Sequence, residues 1–417
     1  MKRRIHPAWI AALVTFFTLV ATSGFRAAPS VLIVPLQSAF GWSRSSISSA
    51  VSINVLVYGL TAPFAAALME RFGIRRVVMI ALTVVGTGAW CTQYITHPWH
   101  LVILWGLIVG GGTGSMALVF AASVANRWFI KRRGLVVGIL TASSAAGNLI
   151  FLPGLSRLVS HYGWESVSIT VALGAYLMVP MIFLFLKESP LHAAVKPYGA
   201  PEDYEYPEKI KRNAGKEAID TLREASHIKD FWLLCGSFFV CGLSTSGLIG
   251  THFIPAATDH GMAMNTAAGL LALVGIFDVI GTMASGWLTD RVDPVKLLFF
   301  YYFLRGLSLF LLPSILFRSV HPSTLVFVIF YGLDWVATVP PTVILCRRVL
   351  GAAQGSVVYG WVFAFHQIGG SIAALGAAII HDKLGNYAAA FYGAAVLCLV
   401  ASYAVLQMTK QDATVSI

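Results

Sequence analysis

Charge is what this chain has least of. Asp, Glu, Lys and Arg make up 11% of its 417 residues, against 57% apolar residues and a mean hydropathy of +0.76. Soluble domains carry roughly a quarter of their residues charged, so lipid must be the solvent for most of this chain. Cysteine is sparse as well. Cys91, Cys235, Cys241, Cys346 and Cys398 all fall in or beside apolar runs, and no pair has CxxC spacing, which argues against a disulfide framework or a metal site. No HExxH or GxSxG occurs, so the chain reads as no enzyme and calls for no cofactor. A cleavable leader is not indicated either. Lys2, Arg3 and Arg4 precede an apolar run from Trp9 to Leu36, but that run exceeds the roughly 7–15 residues of a signal core and no small-residue cleavage site follows.

What is present is a series of long apolar runs. They lie at about 9–36, 46–69, 77–95, 99–123, 134–158 and 164–186, then at about 230–256, 265–289, 295–317, 322–345, 353–380 and 386–408. Each matches the roughly 20 residues a helix needs to cross the hydrocarbon core, and an open chain in lipid has no other way to satisfy its backbone. The expected fold is therefore all-α integral membrane, with twelve transmembrane helices in two six-helix bundles. One bundle covers 1–187, a linker 188–229, and the second bundle 230–417. The linker is the only long polar stretch; it holds Pro190, Pro197, Pro201 and Pro207. Its composition suits a cytoplasmic connection with one amphipathic helix near 215–227, or a regulatory docking segment.

Lys and Arg fix the orientation. Of the 29, only Arg44, Arg157, Arg318 and Lys383 fall on the side opposite the termini, and Arg26 and Arg305 fall inside spans. Both termini are thus expected in the cytoplasm of a bacterial cell, with the chain in the inner membrane. This bias also accounts for the net charge of +11. No nucleic-acid partner is needed, because the basic residues are spread over short loops instead of forming one patch.

The two halves repeat each other. Glu70-Arg71-Phe72-Gly73-Ile74-Arg75-Arg76 follows the second run, and Gly286-Trp287-Leu288-Thr289-Asp290-Arg291 follows the eighth; Glu70 and Asp290 are 220 positions apart. Gly138 and Gly147 recur as Gly360 and Gly369 at an offset of 222.

The acid-Arg-x-Gly-x-Arg-Arg loop, with its weaker second copy, resembles the signature loop of the major facilitator superfamily, and the resemblance covers the whole chain. It implies that Glu70, Arg71, Arg75, Arg76, Asp290 and Arg291 form a gating latch at one end of the helices. The same charges would also serve merely to fix topology. The match has departures: Ala66 stands where Gly is usual, Glu70 replaces Asp, and Asp293 takes the second Gly position. Within the superfamily, Gly24-Phe25-Arg26, Gly41-Trp42-Ser43-Arg44, Asn126 through Gly134 and Tyr359 through Gln367 are similar to bacterial proteins near the monocarboxylate and oxalate/formate porters. That similarity implies symport of a small organic anion with a proton. Here Thr282, not Arg, stands four residues after Asp278, unlike the animal-type porters.

Ionisable side chains at membrane depth cost about 2.5–3.5 kcal/mol even on lenient scales, so the few present are the functional candidates. Arg26 can grip a carboxylate through its planar fork, or it can snorkel. Asp278 is a candidate proton carrier, because apolar surroundings penalise its charged form; a permanent salt bridge is the other reading. His366, beside Gln367, suits either coupling or substrate contact, since imidazole titrates in the physiological range. Arg305, on an outer helix of the resembled fold, reads as a structural cation paired with Asp334 or Asp278. Asn54 and Tyr58, four apart on one helical face, and Asn148 are candidate substrate contacts or helix-to-helix bonds. The cluster Gly110-Gly111-Gly112-Thr113-Gly114 lacks the Lys-Ser/Thr ending of a phosphate loop and suits close helix packing.

The function expected from these features is secondary active transport of a small organic anion, coupled to protons, by a monomer in the lipid bilayer. A carrier or exporter of a neutral or larger vitamin- or drug-like metabolite is the alternative, favoured by Trp105, Trp335 and Trp361. A transporter-like sensor is more remote, since no signalling domain is visible after Gln407.

Overall fold

A computed structural model describes residues 6–116, 118–204, 214–289, 291–317 and 319–408. Asp290 lies outside them, as do the side chains of Glu70 and Asn148. The described chain is helical, and nine of its helices are long and apolar enough to cross a membrane. In the first half, spans one to three are Pro7–Phe40, Arg44–Phe72 and Ile74–Thr92. Span four is segmented into Pro98–Leu101, Val102–Val109, Gly110–Gly114 and Leu118–Trp128, and spans five and six are Arg133–Tyr162 and Glu165–Phe185. A short helix, Ala214–Ala225, occupies the linker. In the second half, spans seven to nine are Lys229–Asp259, Met264–Thr289 and Pro294–Ile315, and spans ten to twelve are Pro322–Gly351, Val357–Leu384 and Ala388–Val405.

Local chemistry sets the joints. Span one ends at Gly41, whose φ of 67° places it in the left-handed region that glycine enters without strain; its N–H caps Gln37 O at 2.9 Å. Two residues on, the Ser43 hydroxyl accepts from the Ser46 N–H and starts span two. Between spans ten and eleven the chain stays helical apart from Leu350 and Gly351, where Gly351 takes φ 82°.

Three spans depart from α geometry inside the membrane. Span four widens to a π-helix over Val102–Val109 and span seven over Leu243–Ile249; such bulges free backbone groups and often mark functional sites. Span ten breaks at residues 335–338, between Asp334 and Val339. Pro340 and Pro341 supply no N–H to residues 336 and 337, which explains the break.

The duplication read from sequence is physical. A Cβ on Gly147 would meet Ser23 Cβ at 2.5 Å and Val20 O at 2.7 Å on span one, and a Cβ on Gly369 would collide with Phe239 O on span seven. Each glycine therefore lets the fifth helix of its bundle press on the first. The glycines of span four also serve close approach, with a Cβ on Gly112 meeting Val85 and one on Gly114 meeting Tyr58 O.

The bundles meet along spans two and eleven, one and seven, and five and eight. Among the described residues, the side-chain hydrogen bonds joining bundle to bundle lie toward the face opposite the termini. Arg44 of span two forks onto Asp259 of span seven at 2.6 and 2.7 Å. Ser52 bonds Ser371 at 2.8 Å, and Ser156 donates to Asn265 at 2.7 Å. That face is closed.

Candidate functional site

Arg26 is exposed although Phe25 and Ala28 beside it are buried. Its guanidinium carbon lies 4.3 Å from the centroid of Tyr58, and Nη1 donates to the Tyr58 hydroxyl at 3.3 Å. Among the described residues no carboxylate forms an ion pair with it. Across the bundle interface stands span eleven, where Gln367 fills the notch left by Gly59. Among the described residues, His366 Nδ1 and Gln367 Oε1 are buried without a hydrogen-bond partner. Phe238 and Phe363 flank the His366 ring, Phe363 stacked at 5.7 Å. The structure thus brings Arg26, Tyr58 and Gln367 together where spans one, two and eleven meet, with His366 next to Gln367 and its ring packed against Phe238 of span seven. An unpaired cation on an aromatic face beside unsatisfied polar atoms is suited to hold an anion with a small hydrogen-bonding body.

Asn54 does not join that group. Its Nδ2 donates to Trp105 O at 2.7 Å, a carbonyl within the π segment of span four. Trp105 itself is 2% exposed, and Trp361 Nε1 is bound to Ala218 O of the linker helix. Trp361 also lines a cavity of about 480 Å³ together with Trp232 and the linker-helix residues Ile219, Leu222 and Arg223.

The remaining membrane charges attend the break in span ten. Arg305, fully buried, donates from Nε to Asp334 Oδ2 at 2.5 Å and from Nη2 to Asp334 O at 2.6 Å and Trp335 O at 3.3 Å. Ser285 donates to Ala337 O at 2.5 Å. Asp278 accepts from Val336 N at 3.1 Å and from the Thr282 hydroxyl at 3.0 Å. The break is therefore satisfied from spans eight and nine, as it must be in lipid. Of the two pairings open to Arg305 in the sequence, the structure has Asp334. Thr282, where a partner arginine was missed, is bonded to Asp278 directly.

The family model described as Major Facilitator Superfamily matches residues 11–374. This chain belongs to the major facilitator superfamily. It is accordingly a membrane transporter and not an enzyme. The chain is 25% identical over 386 residues to an uncharacterized MFS-type transporter, YcxA, of Bacillus subtilis, covering 91% of this chain and 90% of that protein. It is 27% identical over 402 residues to monocarboxylate transporter 13 of Bos taurus, covering 94% and 87%. Among solved structures, a bacterial homolog of the human lysosomal transporter Spinster, inward-facing and unoccupied, superposes with a TM-score of 0.72 at 14% identity, over 97% of this chain and 98% of that one. A POT family transporter in complex with 5-aminolevulinic acid gives 0.73 at 13%, over 96% and 95%. At such identities the structures show the shared superfamily fold alone.

Of the charges in the superfamily's signature loop and its second copy, the structure describes the side chains of Arg71, Arg75, Arg76 and Arg291. Arg71 lies 5.2 Å from the centroid of Phe72 and Arg75 4.3 Å from that of Phe183, both within the first bundle; Arg76 is exposed. Arg291 lies 4.2 Å from the centroid of Trp287 and donates to its carbonyl. The acid that grips the first loop is Glu188, which the sequence reading passed over. Its carboxylate accepts from Ile74 N at 2.7 Å, from Arg75 N at 3.1 Å and from Arg127 at 3.0 Å, capping the positive end of span three. Arg44, Asp259, His381 and Asp382 were missed too. Each is a charge near a span end, where the sequence offered no sign that they converge.

Proposed function

We propose that this superfamily member carries a small organic anion of the monocarboxylate class together with a proton, by alternating access, across a bacterial inner membrane with both termini in the cytoplasm. The bundles 1–187 and 230–417 would rock as a monomer about the interface of spans two and eleven. One contrast carries the reading. Arg305 is saturated by a carboxylate and two carbonyls, whereas among the described residues Arg26 meets a phenol and an aromatic face and no carboxylate. A carboxylate arriving at Arg26 would gain the bidentate, charge-assisted pair that the protein does not supply, with His366 and Gln367 closing on its far side. Asn148 of span five remains a candidate contact.

Proton coupling falls to Asp278 and His366. Among the described residues no cation pairs with Asp278, because Arg305 is committed to Asp334, so a proton is the counter-charge that lets it cross between states in lipid. Monocarboxylate transporter 13 among the relatives supports the substrate class. On this reading the loop residues Glu70, Arg71, Arg75, Arg76, Asp290 and Arg291 latch the opposite face when the cycle turns over.

The test is uptake into proteoliposomes under an imposed proton gradient, comparing labelled short monocarboxylates with neutral solutes and amines of similar size. Gradient-driven accumulation of carboxylates is the expected result. Refusal of every carboxylate, with a neutral or cationic solute accepted, would overturn it in favour of a carrier for neutral or larger metabolites.

A further inference from the structure

The cluster on the closed face is unusual in how its charges divide between the bundles. Arg44, on span two, is the only charge the first bundle brings to it among the described residues. The second bundle brings Asp259 from span seven and His381 and Asp382 from span eleven. His381 Nε2 lies 3.1 Å from Asp259 Oδ2, and its Nδ1, without a hydrogen-bond partner among the described residues, lies 3.9 Å from Asp382 Oδ1. Arg44 neutralises Asp259 through its fork, while the backbone N–H groups of Arg44 and Ser45 at the start of span two cap Asp382 at 3.2 and 2.9 Å. The other titratable groups packed at His381 are Tyr387, which caps the start of span twelve, ring to ring at 4.7 Å, and behind it His252 of span seven, 5.1 Å from the Tyr387 ring and held by Ala374 O.

Separating the bundles removes Arg44 and the helix terminus together. Two carboxylates then remain on the second bundle, on either side of one imidazole, with their counter-charge gone. We propose that His381 is a proton-receiving site on this face, loaded as Arg44 leaves Asp259 and Asp382, so that protons from that side favour its opening. In the closed state Arg44 supplies the positive charge; in the open state an imidazolium takes its place, donating from Nε2 to Asp259 and presenting Nδ1–H to Asp382. A proton bound more tightly by the open state than by the closed one must shift the equilibrium toward opening, and opening must in turn draw protons. The inference rests on the alternating-access reading above but not on the identity of the solute.

The experiment reads a distance, so its outcome is separable from any uptake result. Spin labels are placed at Ser38→Cys, at the end of span one, and Leu384→Cys, at the end of span eleven, in the full chain in nanodiscs. Distance distributions are recorded at pH 8 and pH 5.5. The expected result is a short distance at pH 8 and a longer population at pH 5.5. With His381→Gln the short distance persists at both; with Arg44→Gln the longer population is present at both. Asp382→Asn keeps the imidazole but removes one carboxylate, and should move the midpoint of the transition to lower pH. A pH-independent distribution in the unsubstituted protein, or a full response in His381→Gln, would overturn the proposal.

Discussion

The guanidinium of Arg26 lies against the ring of Tyr58, 4.3 Å from its centroid, and points Nη1 at the phenol oxygen. The tyrosine therefore orients the arginine without neutralising it. Arg26→Gln should lower kcat/KM for carboxylate uptake about ten- to a hundredfold, in line with the roughly 1.5–3 kcal/mol of a hydrogen bond to a charged group. Arg26→Lys should recover only part of the loss, because a point charge replaces a fork. Tyr58→Phe should raise KM with little change in kcat. Initial rates in proteoliposomes, at matched protein incorporation, check all three; unchanged kinetics in Arg26→Gln would remove it from the substrate site.

Asp278 separates coupling from binding. In Asp278→Asn the amide oxygen still accepts from Val336 N and Thr282, so the broken span ten keeps its support. Gradient-driven accumulation should vanish while exchange of labelled for unlabelled solute persists. Retention of both activities would show that the proton travels elsewhere.

The Arg305–Asp334 pair makes a prediction about order. Removing one member of a buried pair costs about 3–5 kcal/mol, so Asp334→Leu and Arg305→Met should each lower the unfolding temperature sharply. Joining the two removes the stranded charge but leaves Asp334 O and Trp335 O without donors, at about 1–3 kcal/mol each. The double variant should therefore fall between the single variants and the unsubstituted protein. Full recovery would mean that the carbonyl contacts contribute nothing. Thermal unfolding in detergent gives the ranking.

Glycines that look alike in sequence should behave differently. Gly369→Ala places a Cβ against the Phe239 carbonyl, whereas a Cβ at Gly360 meets nothing within 4 Å. Poor insertion or a lowered unfolding temperature is expected for Gly369→Ala. Gly360→Ala should be neutral or stabilising by up to about 1 kcal/mol, the usual helix gain over glycine. Equal effects would argue against the tight contact of spans seven and eleven.

Sequence reading worked where one residue type has one physical consequence. Twelve apolar runs gave twelve spans, the linker helix falls at Ala214–Ala225 where 215–227 was expected, and Gly147 and Gly369 mark matching approaches in both halves. Scarcity of membrane charge also made Arg26, Asp278, Arg305, Asp334 and His366 stand out. Arg305 could be narrowed to Asp334 or Asp278, but the pairing of Arg44 with Asp259 was not legible, because the two are 215 residues apart. Asn54 was open to substrate contact or to a helix-to-helix bond, and it makes the second, to Trp105 O; nothing in the sequence reveals the π segment that offers that carbonyl. The break in span ten did leave a signal in Pro340-Pro341, which was read only as part of an apolar run.

Spans seven and eleven are seated so closely at Gly242, Gly247 and Gly369 that neither can roll or slide without the other. Asp259 rides on one of them, and Ser371, His381 and Asp382 ride on the other. The contacts they make with span two must then form and part as one event. A solute path that opened bond by bond would pass through half-released states in which protons leak without cargo. Two helices locked into a single plank leave little room for such states, so tight coupling in this protein would begin with three missing side chains.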